Sequence, residues 1–159
     1  MRVFVILGGT GGHIYPGLAL GDELRKRNNE VILIGKKEGI GKRTAEESGF
    51  PFLHIAGEGL RRKLSLRNLG FFGKSILGFF QSLKIFRHSR PDVVVGMGGY
   101  LSFPAVLAAK ISRIPCMIHE INVTPGLANR ILARIADRVM VSFEETREYF
   151  PSNKTFLTG

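Results

Sequence analysis

The feature that most constrains the fold of this chain is the regular alternation of short apolar runs with longer helical stretches. Residues 2–7 (RVFVIL), 30–35 (EVILIG) and 92–97 (DVVVGM) are typical of buried strands, whereas residues 14–28 and 102–112 have helical patterns. Strands that are apolar at nearly every position are typical of parallel sheets buried on both faces. The sequence therefore predicts an α/β fold, with a parallel sheet covered by helices on both faces.

Further elements continue this alternation along the chain. The remaining patterns predict strands at 50–55, 115–119, 138–142 and 154–159, and helices at 42–48, 68–90, 126–136 and 144–150. Ligands of such sheets bind beyond the carboxyl ends of the strands. Three polar or glycine-rich corners follow strands, and we expect them to lie together on one edge of the sheet: residues 8–13, 96–100 and 119–126.

The first corner crowds four glycines around Thr10 and ends at His13. Glycine lets backbone amides approach a ligand closely, and the N-terminus of a helix adds partial positive charge, so this corner predicts an anion cradle. It lacks the Lys-Ser/Thr of a P-loop, and Ile14 stands where the dinucleotide fingerprint has its third glycine. A plain strand-to-helix turn is the alternative. For His13 we expect proton handling or phosphate contact, with a helix-start role as the alternative.

The second corner, GMGGY at residues 96–100, repeats this arrangement before the predicted helix at 102–112. Gly98 and Gly99 predict a second close approach of backbone to an anion, and Ser102 is a candidate N-cap. Two such loops on one edge suit a ligand with two phosphates. Tyr100 has three open roles: stacking on the ligand, hydrogen bonding to it, or covering the loop.

The third corner brings His119, Glu120 and Asn122 to the end of a buried strand. Three polar side chains at such a position are more typical of a site than of a core. His119 is either a catalytic group or a structural histidine that orients its neighbours. The amide of Asn122 offers a donor and an acceptor, which suits a sugar hydroxyl or an amide.

The positive charge of the chain is concentrated in one segment. Lys and Arg number 23 against 13 Asp and Glu, and the resulting net charge of +10 indicates an anionic partner such as nucleic acid, phospholipid or a phosphorylated small molecule. Residues 59–91 contain eight of these cations and no acidic residue. Nucleic acid is disfavoured, because the sequence has no aromatic-rich sheet motif or reading helix.

The same segment is rich in apolar residues. One helical stripe is expected to face the core: Leu69, Phe72, Ile76, Phe79, Phe80, Leu83 and Phe86. Apolar residues that lie off this stripe among cations are typical of a helix end or loop on an anionic membrane. A helix buried on two sides in a larger protein is the alternative. The residues predicted to meet the membrane are Arg61, Arg62, Lys63, Arg67, Phe71, Lys74 and Leu77.

The composition also limits other classes of site. The single cysteine, Cys116, excludes an internal disulfide and lies in an apolar run, so we expect a buried structural thiol. We expect no signal peptide, because Arg2 leads directly into a strand. We also expect no membrane span, because no apolar run has the required length.

Three motifs, in this order and spacing, resemble the MurG family of bacterial glycosyltransferases: GGTGGHIYPGLAL, PDVVVGMGGYLSFPAVLAA and IPCMIHEINVTPGLANRILARIADRVMVSF. The resemblance implies the GT-B architecture, in which two Rossmann-like domains face each other across a cleft. Residues 1–159 would then be the N-terminal, acceptor-side domain, and the C-terminal UDP-sugar domain would be absent from this chain. The isolated chain is expected to be inactive, because the site lies between the two domains.

The resemblance implies an inverting transfer of N-acetylglucosamine from UDP-N-acetylglucosamine to the C4 hydroxyl of a lipid-linked N-acetylmuramyl-pentapeptide, in peptidoglycan synthesis. It implies a peripheral enzyme on the cytoplasmic face of the bacterial cell membrane, with no metal and no cofactor. The implied partners are the UDP-sugar, the undecaprenyl-diphosphate-linked acceptor and the anionic membrane surface, without nucleic acid.

The resemblance also assigns roles to individual residues. His13 matches the histidine proposed to assist the acceptor hydroxyl, and His119 and Glu120 match the family's His-Glu pair, so these three are the catalytic candidates. Ile121 departs from the family, which usually has a polar residue there, and its side chain cannot contact a sugar. The predicted substrate-binding residues are Thr10, Gly11, Gly12, Asn122, Gly98, Gly99 and Tyr100.

Two other functions stay open from the sequence. One is a different GT-B glycosyltransferase with another acceptor, which the product of the reaction would reveal. The other is a non-enzymatic module that binds anions or membranes, which titration with UDP-sugar, acidic vesicles and oligonucleotide would reveal. Half of a nicotinamide dehydrogenase is disfavoured, because the dinucleotide fingerprint is incomplete.

Overall fold

The computed structural model describes residues 1–59 and 68–159. The strands are β1 (Arg2–Ile6), β2 (Glu30–Gly35), β3 (Phe52–His54), β4 (Val93–Gly96), β5 (Cys116–Glu120), β6 (Arg138–Val141) and β7 (Thr155–Leu157). They form one parallel sheet in the order β3-β2-β1-β4-β5-β6-β7. The helices are α1 (Gly11–Lys26), α2 (Ile40–Glu47), α3 (Asn68–Ser89), α4 (Ser102–Ile111) and α5 (Leu127–Leu132), with short 3-10 helices at Glu144–Tyr149 and Ser152–Lys154.

The order of strand addition reverses at β1. This strand pairs with β2 on one side, where Phe4 aligns with Ile32, and with β4 on the other, where Phe4 aligns with Val94. In a doubly wound sheet, such a reversal opens a crevice at the carboxyl ends of the two strands that flank it. The loops at this crevice, residues 7–10 and 97–101, contain the glycines of the first two corners.

Helices bury both faces of the sheet. Phe4 and Ile6 of β1 lie in one hydrophobic cluster with Phe86 of α3 and with residues of α4 and α5. The alternate residues Val5 and Leu7 lie in a second cluster with residues of α1 and α2. Because successive side chains of a strand point to opposite faces, an apolar strand fills both clusters at once. The predicted α/β fold, with a Rossmann-like parallel sheet covered on both faces, is confirmed.

Most helices and strands lie within a few residues of their predicted limits. Helix α1 begins earlier than predicted, at Gly11, inside the glycine run. Helix α5 ends at Leu132 and not at 136, because the chain then turns more tightly: the Ile135 N–H donates to the Leu132 carbonyl. The predicted helical turns at 144–150 are present as a 3-10 helix.

The prediction that one apolar stripe of α3 faces the core is correct only toward the end of the helix. Phe86 is 2% exposed, whereas Phe72, Ile76 and Phe80 are 59%, 59% and 60% exposed. For these three residues the prediction is wrong. Two further members of the stripe, Phe79 and Leu83, are partly buried against the core, and the side chain of Leu69 lies outside the described residues.

Small residues form the buried face of α3 in place of the large ones. A Cβ on Gly78 would clash with the Ala56 carbonyl, so only glycine fits there. Ser82 is 0% exposed, and its hydroxyl donates to the Gly78 carbonyl at 2.8 Å. Because this close packing turns Gly78 and Ser82 inward, Ile76 and Phe80, which are two positions along the helix from Gly78, point to the opposite side.

Candidate functional site

The three corners singled out from the sequence meet at the carboxyl edge of the sheet. Gly9 lies against Tyr100, since a Cβ on Gly9 would clash with the tyrosine hydroxyl. A Cβ on Gly98 would lie 3.1 Å from Nδ1 of His13 and 3.3 Å from Nδ2 of Asn129. The first corner also reaches the third, since a Cβ on Gly12 would lie 3.7 Å from Cδ1 of Ile121, so the glycines are the points at which the three corners pack together.

His13, at the start of α1, is held against glycines of two loops. Gly8 has no room for a side chain, because a Cβ there would clash with the His13 side chain. Gly98 and Gly99 have φ angles of +91° and +75°, which L residues with a side chain rarely adopt. Nδ1 of His13 is buried, and within the described part of the chain it has no hydrogen-bond partner.

The N-terminus of α1 faces the crevice. Thr10 is the N-cap residue, and among the described residues its side chain makes no capping hydrogen bond. The Thr10 carbonyl accepts the N–H of His13 at 3.0 Å, so the amides of Gly11 and Gly12 precede the first helical hydrogen bond and can face an anion. Ile121 lies beside them, with its Cδ1 3.7 Å from the place of a Cβ on Gly12.

Ser102 shapes the second corner from inside the helix. Leu101 is the N-cap of α4, so the prediction of Ser102 as the N-cap is wrong. The buried Ser102 hydroxyl donates to the Gly98 carbonyl at 2.8 Å, which fixes the left-handed turn at Gly98 and Gly99. The sequence left three roles open for Tyr100, and its packing against Gly9 fits the role of covering the first corner.

The carboxylate of Glu120 joins the third corner to α5. Glu120 is 1% exposed. Its Oε1 accepts the backbone N–H and the Nδ2 of Asn122, at 3.0 and 2.9 Å. Its Oε2 accepts the backbone N–H of Gly126 and the Nδ2 of Asn129, both at 3.0 Å. Since each oxygen has two donors, the carboxylate holds the loop at residues 121–126 in one conformation.

Thr146 clamps the same loop from the other side. It is buried in the 3-10 helix Glu144–Tyr149, and its hydroxyl points to the carbonyls of Asn122 and Val123, at 3.0 and 3.2 Å. Asn122 itself is exposed at the edge of the site. One Nδ2–H of Asn122 is used on Glu120, so its Oδ1 and its second Nδ2–H are the groups that can meet a ligand.

His119 lies next to Glu120 on β5 but belongs to a different set of contacts. Its Nε2 is 3.3 Å from Oγ of Ser142, and that hydroxyl donates to the Gly159 carbonyl at 3.1 Å. Because the single hydroxyl proton of Ser142 is used on Gly159, Nε2 of His119 carries a proton and donates it to Ser142. Burial lowers the pKa of His119, and the nearby His13 lowers it further, although a backbone hydrogen bond and Glu120 partly oppose this.

The place where the three corners meet is called the polar corner below. An apolar groove of about 810 Å³ runs from it along α3. Its polar end is lined by the catalytic and binding candidates His13, Tyr100 and Asn122. Its walls come from α3, α4 and α5, and the exposed α3 residues that did not fit the predicted core stripe form one of them. The apolar lining includes Phe72, Ile76, Phe80, Phe103, Leu127 and Ile131.

The residues predicted to meet a membrane have different outcomes. Arg61, Arg62, Lys63 and Arg67 lie outside the described residues. Lys74 pairs with Glu58 at 2.7 Å, Phe71 is half-buried and lines the groove, and Leu77 is 52% exposed. Within residues 1–59 and 68–159, no helix has the length and apolar character needed to cross a membrane.

Cys116 is buried, as predicted, at the start of β5. Its Sγ lies 3.6 Å from Oδ2 of Asp137, and burial, together with the charge of Asp137, raises the pKa of the thiol to about 11. The thiol is therefore protonated and structural. In the part of the chain that the structure describes, no three His, Cys, Asp or Glu side chains are grouped to hold a metal ion.

Sequence reasoning missed two residues of the site, Asn129 and Thr146. Asn129 is 2% exposed, and besides its bond to Glu120 its Nδ2 donates to the His119 carbonyl at 3.0 Å. The sequence did indicate that Asn129 is buried, because it lies three residues before the buried Leu132, on the apolar face of the predicted helix. Thr146 had no such signal, since its neighbours in sequence are charged.

The known proteins that this chain matches by sequence agree on one family. The model of the glycosyltransferase family 28 N-terminal domain matches residues 3–141. The UDP-N-acetylglucosamine–N-acetylmuramyl-(pentapeptide) pyrophosphoryl-undecaprenol N-acetylglucosamine transferase of Geobacter sulfurreducens is 44% identical over 161 residues, which cover 100% of this chain and 44% of that protein. This chain therefore spans less than half the length of the curated relatives that it matches.

Solved structures show the same likeness. The crystal structure of Acinetobacter baumannii MurG has a TM-score of 0.84 at 30% identity, over 99% of this chain and 44% of that one. UDP-GlcNAc 2-epimerase from Neisseria meningitidis has a TM-score of 0.73 at 18% identity, over 100% of this chain and 47% of that one. The second likeness is one of fold alone.

Proposed function

The chain belongs to glycosyltransferase family 28, and we propose that it is the acceptor-binding half of an inverting N-acetylglucosaminyltransferase. The proposed donor is UDP-N-acetylglucosamine, and the proposed acceptor is the C4 hydroxyl of a muramyl-pentapeptide on an undecaprenyl diphosphate. The product would be the disaccharide unit of peptidoglycan. The Geobacter sulfurreducens relative, which is named for this transfer and is 44% identical along the whole chain, supports the choice of substrates.

The observation that carries the proposal is the continuity of the apolar groove with the polar corner. A lipid-linked sugar diphosphate needs an apolar surface, an anion site and a sugar site in that order. The groove offers the first. The amides of Gly11 and Gly12 at the start of α1, and the turn at Gly98 and Gly99, offer the second. His13 and Asn122 at the groove's polar end offer the third.

In the proposed reaction, His13 removes the proton of the acceptor hydroxyl as that oxygen attacks the anomeric carbon of the donor. The carbon–oxygen bond to UDP breaks on the opposite side, which inverts the configuration, and UDP leaves with the electron pair. A general base in such a position contributes about 10² to 10⁴ in rate. Oδ1 of Asn122 would accept a hydrogen bond from the acceptor sugar.

The two other catalytic candidates fit supporting roles better than proton transfer. Both oxygens of Glu120 are engaged by four donors, so the carboxylate positions Asn122 and the loop around it. His119 is bonded through Nε2 to Ser142. We therefore propose Glu120 and His119 as positioning residues and His13 as the base.

We propose that the enzyme works as a peripheral protein on the cytoplasmic face of the bacterial cell membrane. The large exposed side chains of α3 and the surplus of cations in residues 59–91 favour contact with an anionic lipid surface. Each cation near such a surface contributes about 1 kcal/mol. Sedimentation of the chain with anionic but not neutral vesicles, reduced by high salt and by changing Arg61, Arg62 and Lys63 to Ala, would support this placement.

The decisive experiment is a transfer assay with a full-length protein that contains this chain. It is given radiolabelled UDP-N-acetylglucosamine with the lipid-linked muramyl-pentapeptide, or with the same headgroup released from its lipid. We expect a β-linked disaccharide on the lipid and much slower transfer to the free headgroup. Transfer to a different acceptor would identify another glycosyltransferase, and anion binding without any transfer would identify a binding module. The 159-residue chain alone is expected to transfer nothing.

A further inference from the structure

Thr146 is a buried polar residue in a short helix whose other residues are not buried. The 3-10 helix Glu144–Tyr149 follows β6, and Thr146 is its one buried residue, with an exposure of 0%. Its sequence neighbours Glu145 and Arg147 are exposed. Burial of a hydroxyl is unfavourable unless the group is hydrogen-bonded, so the partners of Thr146 show what this hydroxyl does.

Those partners are backbone carbonyls of the third corner. The Thr146 hydroxyl lies 3.0 Å from the carbonyl oxygen of Asn122 and 3.2 Å from that of Val123. A threonine hydroxyl has one proton, so the two carbonyls share it. Thr146 reaches them because β6 pairs with β5, with Val141 aligned to Glu120, and the segments that follow the two strands are therefore neighbours.

The backbone of Asn122 is held on both sides. Its N–H donates to Oε1 of Glu120 at 3.0 Å, and its carbonyl accepts from Thr146. These bonds fix the peptide planes before and after Asn122, and hence its φ and ψ angles, so the direction in which its side chain leaves the backbone is fixed as well. That side chain lines the polar end of the groove.

Glu120 alone does not give this control. As a carboxylate it accepts hydrogen bonds, so it holds only the N–H groups of the loop and leaves the carbonyls of Asn122 and Val123 to another donor. Both residues are exposed, so water can donate to their carbonyls if the Thr146 hydroxyl is removed. Water satisfies these oxygens but moves with the loop, whereas Thr146 is fixed to β6 by its own helix.

We propose that Thr146 is a positioning residue of the sugar site and acts through Asn122. Its hydroxyl holds the loop at residues 121–126 so that the Asn122 side chain stays at the polar end of the groove, where it can bond a sugar hydroxyl. Thr146 is itself 0% exposed and does not touch the substrate. The identity of the ligand, an acceptor sugar, rests on the proposed function, whereas the hold on the loop does not.

The hold on the loop is tested by hydrogen exchange in the 159-residue chain. Thr146→Val keeps the shape of the side chain and removes the hydroxyl. We expect the backbone N–H of Asn122 to exchange about 5-fold faster relative to the N–H of Val94, which donates to the Pro115 carbonyl inside the sheet. Thr146→Ser keeps a hydroxyl and should restore the original ratio.

Thr155→Val is the matched control. Thr155 is also buried, at 3% exposure, and its hydroxyl donates to the Pro151 carbonyl at 2.7 Å, away from the third corner. Loss of this bond lowers the stability of the whole chain but does not release the loop at residues 121–126. The exchange ratio of Asn122 to Val94 should therefore stay unchanged.

The effect on the substrate is measured in the full-length enzyme. Thr146→Val should raise the KM for the acceptor about 5-fold with little change in kcat, because a positioned hydrogen bond to bound substrate is weakened. Thr146→Ser and Thr155→Val should have the original KM. In an Asn122→Ala background, Thr146→Val should cause no further rise, because its effect passes through the Asn122 side chain.

Three results would overturn the inference: an unchanged exchange ratio in Thr146→Val, an equal rise of KM in Thr155→Val, or a full additional rise of KM in the Asn122→Ala background. If the valine variant does not fold, Thr146→Cys, whose thiol is a weak donor, takes its place in both measurements. Absence of transfer in the unaltered full-length protein would count against the proposed function, and the exchange ratio would then decide the hold on the loop.

Discussion

The polar corner and the apolar groove are joined in space but are built on opposite principles. In the corner, directional bonds fix the groups: Glu120 has four donors, and Thr146 and Ser102 each fix a loop carbonyl. In the groove, Phe72 and Phe80 are 59% and 60% exposed, and hydrophobic contact has no direction. The corner is therefore suited to orient reacting atoms, and the groove to hold a long apolar group in many registers.

This difference predicts how the two regions respond to mutation. Changes in the corner should lower turnover or stability, because each group there has a defined geometry. Changes in the groove should weaken acceptor binding and leave turnover and stability nearly intact.

The largest effect is expected for His13→Ala in the full-length enzyme. Loss of the proposed base should lower kcat by about 10² to 10⁴, with donor binding little changed, because in the proposed reaction the imidazole acts on the acceptor hydroxyl. The measurement is steady-state transfer together with donor titration. His54→Ala, an exposed histidine on β3, is the matched control and should have normal turnover. An unchanged kcat in His13→Ala would make His13 a structural residue and remove the main contrast between corner and groove.

The next effect concerns stability. Glu120→Gln replaces one acceptor oxygen by an NH₂ group, which would face donors that now point at the carboxylate. We expect a loss of about 2 to 3 kcal/mol in the free energy of unfolding, measured by urea denaturation of the chain. The exposed Glu145→Gln should change it by less than about 0.5 kcal/mol. Equal effects in the two variants would show that the Glu120 contacts contribute little to folding.

The groove is expected to show the opposite response. The triple change of Phe72, Ile76 and Phe80 to Ser should raise the KM for the lipid-linked acceptor about 10-fold, because apolar surface for the lipid is lost. Since these side chains are more than half exposed, kcat and the free energy of unfolding should change little. The double control Ile111→Ser and Phe156→Ser removes exposed apolar side chains away from the groove and should leave KM unchanged. A large loss of stability in the triple variant would mean that the groove wall is part of the core.

The same contrast explains what could be predicted from the sequence. The apolar strands fixed the parallel sheet, and parallel strands end at the same edge, so the meeting of the three corners followed from local patterns. The outward face of α3 did not follow, because apolar residues occur all round this helix and the choice of buried face depends on the fit of Gly78 against Ala56. That contact joins residues distant in sequence and has no periodic signal.

The hydrogen-bond partners in the polar corner could not be predicted from the sequence either. The motif around His119 and Glu120 predicted a site. It did not show that both oxygens of Glu120 accept hydrogen bonds, from its own loop and from α5. Whether a carboxylate is free to move a proton depends on those donors, which only the folded loop supplies. Residue type and position predicted the site, whereas roles within it required the tertiary contacts.

The smallest effect is expected from the pH dependence of His119. Burial holds its pKa below the ordinary value of 6.5, so the unfolded chain binds a proton more readily than the folded one at mildly acidic pH. The free energy of unfolding should therefore be greatest above about pH 6.5 and should fall as the pH decreases through the folded pKa. His119→Gln removes this term, so urea denaturation at pH 7.5 and 5.5 should show a smaller pH dependence than in the unaltered chain. The exposed His54→Gln should keep the original dependence. If both variants behaved alike, His119 would titrate as it does in the unfolded chain, and burial in the folded chain would not lower its pKa.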